Sequence, residues 1–274
     1  GIDQPLTFLF SGNGSQWAGM GRDAWKTNPA FRDALKDIDG RFAKIQKWSI
    51  VDCLFADDLA PRLRRATYSQ PLLLALQVAM VRALEERGIV ATATLGHSVG
   101  EIAAAYVAEG ITLGDAVAVL AARAHAIETI PGRNGVAVLG VDPAGARELI
   151  ASVPGWLELS AVNAAESVAV AGDRDSIVSV VAAAAARGLF ARELAMSFPA
   201  HTTAMEPQCD ELLRRLPRSV FADSAIQFVG SATGGVVAAG TEFGSYWYAN
   251  LRNTIRFDQA MQTALGCGAG VFIE

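Results

Sequence analysis

Apolar positions along the chain follow two rhythms. Some form short unbroken runs, which suit buried strands; others return every three to four residues, which suits helices. The run at 5–11 (P-L-T-F-L-F-S) predicts a strand. Residues 28–42 predict an amphipathic helix with Arg32, Asp33, Lys36 and Asp37 on its polar side. A charged surface segment at 57–65 precedes a long helix predicted over 70–87, with Ser69 as N-cap, Pro71 in the first turn and Gly88 as the stop. A β-prone run at 89–95 then leads into a small-residue helix at 101–109, closed by Gly110. Thr112 with Asp115 forms a capping-box pattern for the next helix, which runs to about Glu128.

The cluster P-G-R-N-G at 131–135 breaks this pattern. After it come a strand at 135–141, a helix at 143–152 and strands at 157–162 and 167–171. A helix at 173–187 and a strand at 189–194 complete the set. The order β-α-β-β-α-β is that of a ferredoxin-like unit. The expected fold is α/β: a large subdomain with a parallel sheet over 1–131 and 197–274, and an inserted small subdomain over 132–196. The chain ends inside an apolar run at 270–274, which reads as a strand cut short within a larger protein.

At 96–100 the sequence reads G-H-S-V-G, a G-x-S-x-G pattern between a predicted strand and a predicted helix. That context is the one a nucleophile elbow requires: a serine in a strained turn, with glycines where two backbones pass too close for side chains. Ser98 also lies at a helix N-terminus, which favours negative charge. A glycine-rich turn with a capping serine fits the bare pattern as well. Gly12-Asn13-Gly14 makes a second turn whose backbone can approach a ligand; it matches neither phosphate-loop nor dinucleotide fingerprints. Leu120, Arg123 and Ile127 share a helix face, so Arg123 projects from an apolar stripe. It either snorkels to the surface or waits, partly buried, for an anion that its planar fork can grip.

Composition narrows the classes. The chain is 51% hydrophobic and 19% charged, with a formal net charge of -5. It has ample material for a core, and no general attraction for nucleic acid or anionic membrane. No apolar run approaches the ~18 residues of a membrane span, and no secretion signal opens the chain. Cys53, Cys209 and Cys267 are far apart and suit free thiols in a reducing cytoplasm. His97, His125 and His201 have no metal-ligand spacing, so no metal is expected.

Six motifs, G-N-G-S-Q-W, T-Y-S-Q-P, G-H-S-V-G-E-I-A-A-A-Y, A-A-R-A, F-P-A-H-T-T-A-M-E-P and Y-W-Y-A-N-L-R-N-T-I-R-F, occur here in one order. In that order the chain resembles the malonyl-CoA:acyl-carrier-protein transacylases, and more closely the acyltransferase domains of bacterial type I polyketide synthases. The resemblance covers essentially the whole chain. It implies an α/β-hydrolase-like large subdomain, an inserted ferredoxin-like one, and a site in the cleft between them. By residue, it implies Ser98 as nucleophile and His201 as general base. Arg123 would hold the free carboxylate of the acyl group, and the backbone N–H groups of Asn13 and Val99 would form the oxyanion hole. Asn250 would orient His201 through its main-chain carbonyl, and Gln70, Phe198 and Ala200 would line the pocket. Asn13 stands where the family usually has glutamine; a backbone donor tolerates that change.

The implied reaction moves malonyl from coenzyme A to the phosphopantetheine thiol of an acyl carrier protein through an acyl-serine. No cofactor would be held permanently, and a ketosynthase would be a neighbouring domain. Val99 after the nucleophile resembles the malonyl-selective type. Phe198-Pro199-Ala200-His201 matches neither H-A-F-H nor Y-A-S-H, and the small Ala200 leaves space for the extra methyl of methylmalonyl. Two other readings compete. An esterase or thioesterase needs an acid between serine and histidine in the chain; Asp173 and Asp175 lie there, at an expected helix start. A docking domain without chemistry would use basic residues such as Arg62, Arg64, Arg65, Arg214 and Arg215.

Overall fold

The computed structural model describes residues 4–274. In chain order the elements begin with β1 (Leu6–Phe10), α1 (Arg22–Thr27), α2 (Pro29–Gln46), α3 (Ile50–Phe55), α4 (Leu59–Arg62) and α5 (Ala66–Glu85). Then come β2 (Ala93–Gly96), α6 (Gly100–Val107), α7 (Leu113–Glu128), β3 (Asn134–Leu139), α8 (Pro143–Ala151), β4 (Leu157–Ala164), β5 (Ser167–Asp173), α9 (Arg174–Ala186) and β6 (Ala191–Glu193). A 3-10 turn at Thr203–Gln208 leads to α10 (Cys209–Arg215), β7 (Gln227–Gly230), β8 (Gly235–Val236), α11 (Phe243–Arg252), β9 (Ile255–Arg256), α12 (Phe257–Gly266) and β10 (Val271–Ile273).

Two five-stranded sheets organise these elements. The first runs β10-β1-β2-β7-β8, parallel except for β8. It is apolar on both faces, as a covered parallel sheet must be. Phe8, Phe10 and Phe228 enter the main core with α5, α6 and α7, while Leu95 and Val229 pack on Ala260 and Ala264 of α12. The second sheet runs β6-β3-β5-β4-β9 and is antiparallel apart from β9. One face buries Leu139, Val168 and Val170 against α8 and α9; the other carries Val136, Ala161 and Ala169. The fold is α/β. The fifth strand of the second sheet, β9, comes from residues 255–256, far along the chain from the other four.

Two local expectations need correcting. The long helix starts four residues early, at Ala66, so Ser69 is not its N-cap and Pro71 sits in the second turn. Its first turn is satisfied from outside: Thr67 donates through its backbone N–H (2.9 Å) and its hydroxyl (2.8 Å) to Glu128 at the end of α7. Gly88 does supply a left-handed residue just after the helix (φ 73°). After α6 the left-handed residue is Glu109 (φ 60°), one position before the expected Gly110. The Thr112–Asp115 capping box forms as read.

Candidate active site

β2 ends at Gly96 and α6 begins at Gly100, so three residues make the turn between them. Both glycines are needed there. A Cβ on Gly96 would lie 2.2 Å from the backbone N of Glu101, and one on Gly100 would lie 2.1 Å from the carbonyl O of Phe10. Within the turn Ser98 has φ 53°, a left-handed conformation that costs a non-glycine residue about 1–2 kcal/mol. His201 is held the same way, at φ 65°, with its N–H donating to the carbonyl of Leu251 at 2.9 Å. The two side chains meet: Ser98 Oγ lies 2.7 Å from His201 Nε2. Each residue is 9% exposed.

Burial disfavours the imidazolium of His201, and the Arg123 guanidinium and His97 push in the same direction. The backbone of Asn253 and Asn250 opposes them, yet the pKa falls well below the ordinary histidine value. The ring is therefore neutral near pH 7 and able to accept the serine proton. Its Nδ1 is buried and makes no hydrogen bond of ordinary geometry. Neither acid of the hydrolase alternative supplies a third member: Asp173 accepts from the backbone N–H of Trp156 at 3.2 Å, and Asp175 is exposed on α9. Among the described residues the backbone N–H groups of Val99 and Asn13 donate to no backbone acceptor outside regular elements.

Arg123 is 1% exposed, so the snorkelling alternative does not hold. Burial lowers its pKa to about 10, and Glu101 opposes that shift. The guanidinium stays charged at neutral pH. Its Nη1 donates to Asn250 Oδ1, its Nε has no partner, and among the described residues it makes no ion pair. A desolvated cation with unused donors is suited to an incoming carboxylate.

Ser98, His201, Arg123 and Asn13 line one cavity of about 90 Å³. Phe198 and Ala200 also line it, and Val136, Val138, Ala161, Ala169 and Leu194 complete an apolar wall from the second sheet. Gln70 does not line it. That side chain is fully buried in α5, and neither its Oε1 nor its Nε2 has a partner. Val99 is likewise absent from the lining.

The Asn250 backbone acts on the His201 ring, and its side chain does more than was expected. Its side chain links two parts of the site: Nδ2 donates to the Ser98 carbonyl at 3.1 Å while Oδ1 accepts from Arg123. Besides the apolar wall, His97 and Asn163 are among the lining residues that escaped the sequence reading. His97 Nε2 donates to Asn163 Oδ1 at 2.8 Å, and both also border an adjoining cavity of about 400 Å³ that reaches Ser15 and Phe257. Asn163 sits at the end of β4, and nothing near it in sequence marks it. The basic residues of the docking alternative are mostly engaged: Arg62 pairs with Asp58, Arg65 with Glu128, and Arg214 and Arg215 with Glu211.

Residues 7–274 match the family described as acyl transferase domain. Polyketide synthase GfsB of Streptomyces halstedii is 35% identical over 271 residues, covering 98% of this chain and 5% of that protein. Erythronolide synthase EryA2 of Saccharopolyspora erythraea is 33% identical over 270 residues, covering 98% of this chain and 8% of that protein. The chain thus spans less than a tenth of the length of these relatives. A solved loading acyltransferase from the avermectin modular polyketide synthase superposes with a TM-score of 0.90 at 31% identity, over 97% of this chain and 85% of that one. The malonyl CoA-acyl carrier protein transacylase from Clostridium perfringens, at 21% identity and a TM-score of 0.85 over 98% of this chain and 85% of that one, shares the fold. No helix among the described residues is long and apolar enough to cross a membrane. From residue 7 to residue 274, the chain belongs to the acyl transferase domain family, in the form carried by bacterial polyketide synthases.

Proposed function

We propose that this domain transfers malonyl from coenzyme A to the phosphopantetheine thiol of an acyl carrier protein within a polyketide synthase. One observation carries the reading. A serine–histidine pair and a buried arginine without an ion-pair partner line the same small cavity. His201 takes the proton of Ser98 as Oγ attacks the thioester carbonyl. The carbonyl oxygen becomes an anion facing the N–H groups of Asn13 and Val99, each worth ~3 kcal/mol in such a role. The tetrahedral adduct collapses, coenzyme A leaves as its thiol with the proton from His201, and an acyl-serine ester remains. The carrier thiol then gives its proton to His201 and attacks the ester, regenerating Ser98.

Arg123 makes the selection. An acyl group with a second carboxylate pairs with the guanidinium, and one without it leaves a desolvated cation unpaired. The cavity volume favours a short acyl chain. That neither Asp173 nor Asp175 supplies His201 with a third member weighs against the hydrolase alternative. Transfer in the cytoplasm, with a carrier protein and a ketosynthase as partners, belongs to the same proposal.

Intact-protein mass spectrometry after incubation with malonyl-CoA tests it. The expected result is one malonyl adduct on the wild type, lost when carrier protein is added, and none on Ser98→Ala. An adduct persisting on Ser98→Ala would reject the nucleophile. Release of free malonate without transfer to carrier would favour the hydrolase. A competition between malonyl-CoA and methylmalonyl-CoA resolves the acyl group, with malonyl expected to dominate.

A further inference from the structure

Behind the serine turn lies a buried carboxylate that the mechanism above does not use. Glu101 is fully buried on the first turn of α6. Both of its oxygens are engaged, by the residues just after β7 and by α11. Oε1 accepts from Ser231 Oγ at 2.6 Å and from the backbone N–H of Ala232 at 2.8 Å; Oε2 accepts from the hydroxyl of Tyr246. Ser231 Oγ in turn accepts the backbone N–H of Ser98, at 3.3 Å. A serine hydroxyl has one proton, and Glu101 takes it. The carboxylate therefore orients that oxygen so that its lone pair faces Ser98.

The surroundings are built for this network. Gly230 has no room for a side chain: a Cβ would lie 2.0 Å from the Tyr246 hydroxyl oxygen and 3.2 Å from Glu101 Oε2. The other end of the Ser98 peptide framework is held by Asn250, whose Nδ2 donates to the Ser98 carbonyl. The strained residue is thus pinned at its N–H by the Glu101–Ser231 relay and at its C=O by Asn250. Burial pushes the Glu101 carboxyl above the usual range, and its bonds to Ser231, Tyr246 and Ala232 oppose that. Glu101 also stands as the nearby negative charge that steadies Arg123.

We propose that Glu101 is a positioning residue for Ser98: acting through Ser231, it holds the serine in its left-handed conformation, so that Oγ meets His201 and the following N–H faces the oxyanion. It touches neither acyl group nor thiol. The inference rests on Ser98 being the reactive nucleophile, but not on which acyl group is transferred.

A fluorophosphonate probe tests it independently of the malonyl reading, because the probe reads only the activated serine. The rate of Ser98 labelling is measured for the wild type, Ser231→Ala, Glu101→Gln and Glu101→Asp, with circular dichroism and a melting curve confirming that each is folded. Ser231→Ala is the decisive variant, since it cuts the relay and leaves Glu101 bonded to Ala232 and Tyr246. Labelling is expected to fall about tenfold or more in Ser231→Ala and Glu101→Gln, because displacing a nucleophile by a fraction of an ångström has effects of that order. Non-covalent affinity for malonyl-CoA, measured on Ser231→Ala in a Ser98→Ala background, is expected to stay within about twofold of the Ser98→Ala parent. Wild-type labelling rates in a folded Ser231→Ala would overturn the inference. So would a fall in binding affinity that matches the fall in labelling, because that points to general loosening of the site. If the wild type labels at Ser98 but takes no malonyl, the acyl reading fails and this comparison still stands.

Discussion

The two sheets meet at one cavity and contribute to it in opposite ways. The parallel sheet delivers polar groups, all from the carboxyl ends of adjacent strands: Asn13 follows β1, Ser98 follows β2 and Ser231 follows β7. Brought to one edge, they are fixed by backbone geometry, by glycines with no spare volume and by buried hydrogen bonds. The antiparallel sheet delivers a face, the side chains of Val136, Ala161 and Ala169, and nothing in that face reacts. On the proposed function, the chemistry rests on positions with no room for change, while Arg123 selects the carboxylate and the wall, whose side chains can vary in size, sets the room beside it.

Paired substitutions sharpen the contrast. Gly96→Ala puts a methyl against the backbone of Glu101, whereas Gly135→Ala in β3 would meet only the Ile177 side chain, at 3.4 Å. A loss of ~3 kcal/mol or more is expected for the first and under ~1 kcal/mol for the second. Denaturant melts measure both, and equal losses would break the comparison. At the cavity, Arg123→Ala removes a charge-assisted contact worth ~1.5–3 kcal/mol. Preference for malonyl-CoA over acetyl-CoA should fall by about ten- to a hundredfold, and an unchanged ratio refutes the assigned role. Ala161→Val changes the wall alone. It should shift the malonyl-to-methylmalonyl ratio by about tenfold, within the ~1–3 kcal/mol that one methyl can supply, and leave serine labelling unaltered.

The smallest effect concerns pH. With its pKa depressed chiefly by burial and then by Arg123, His201 stays neutral below the free-histidine value of about 6.5. The acid limb of kcat/KM should lie below about pH 6.5. The same shift acts on stability. Above about pH 6.5 neither state protonates this ring; as the pH falls further the unfolded chain takes up a proton first, so stability declines. An acid limb at or above pH 7 would contradict the environment described for the ring.

Much of this was legible in the sequence because it is local. Hydrophobic period found four of the five strands of the second sheet to within a few residues, missing β9, and Thr112 with Asp115 marked a helix start by a bond spanning three positions. Ser98 was visible because strand, turn and helix are contiguous. What stayed hidden depends on distant partners. The start of α5 is capped by Glu128, 61 residues from Thr67. Arg123 could be placed on an apolar stripe, but spacing alone cannot separate a snorkelling arginine from one sealed beneath α11. Asn163 and Ser231 have meaning only once β4 is laid beside β5 and β7 beside β2. Gln70 was assigned to the pocket by resemblance alone, and that position proved to be core.

Ser98 and His201 share a backbone conformation that most side chains resist. Only glycine would relax there, and glycine would abolish the pair. The domain thus keeps a standing deficit of about 1–2 kcal/mol at each of the two places where the proposed reaction occurs. A copy released from the need to work could shed that strain through glycine, but only by giving up the buried packing and the hydrogen bond that the two side chains supply.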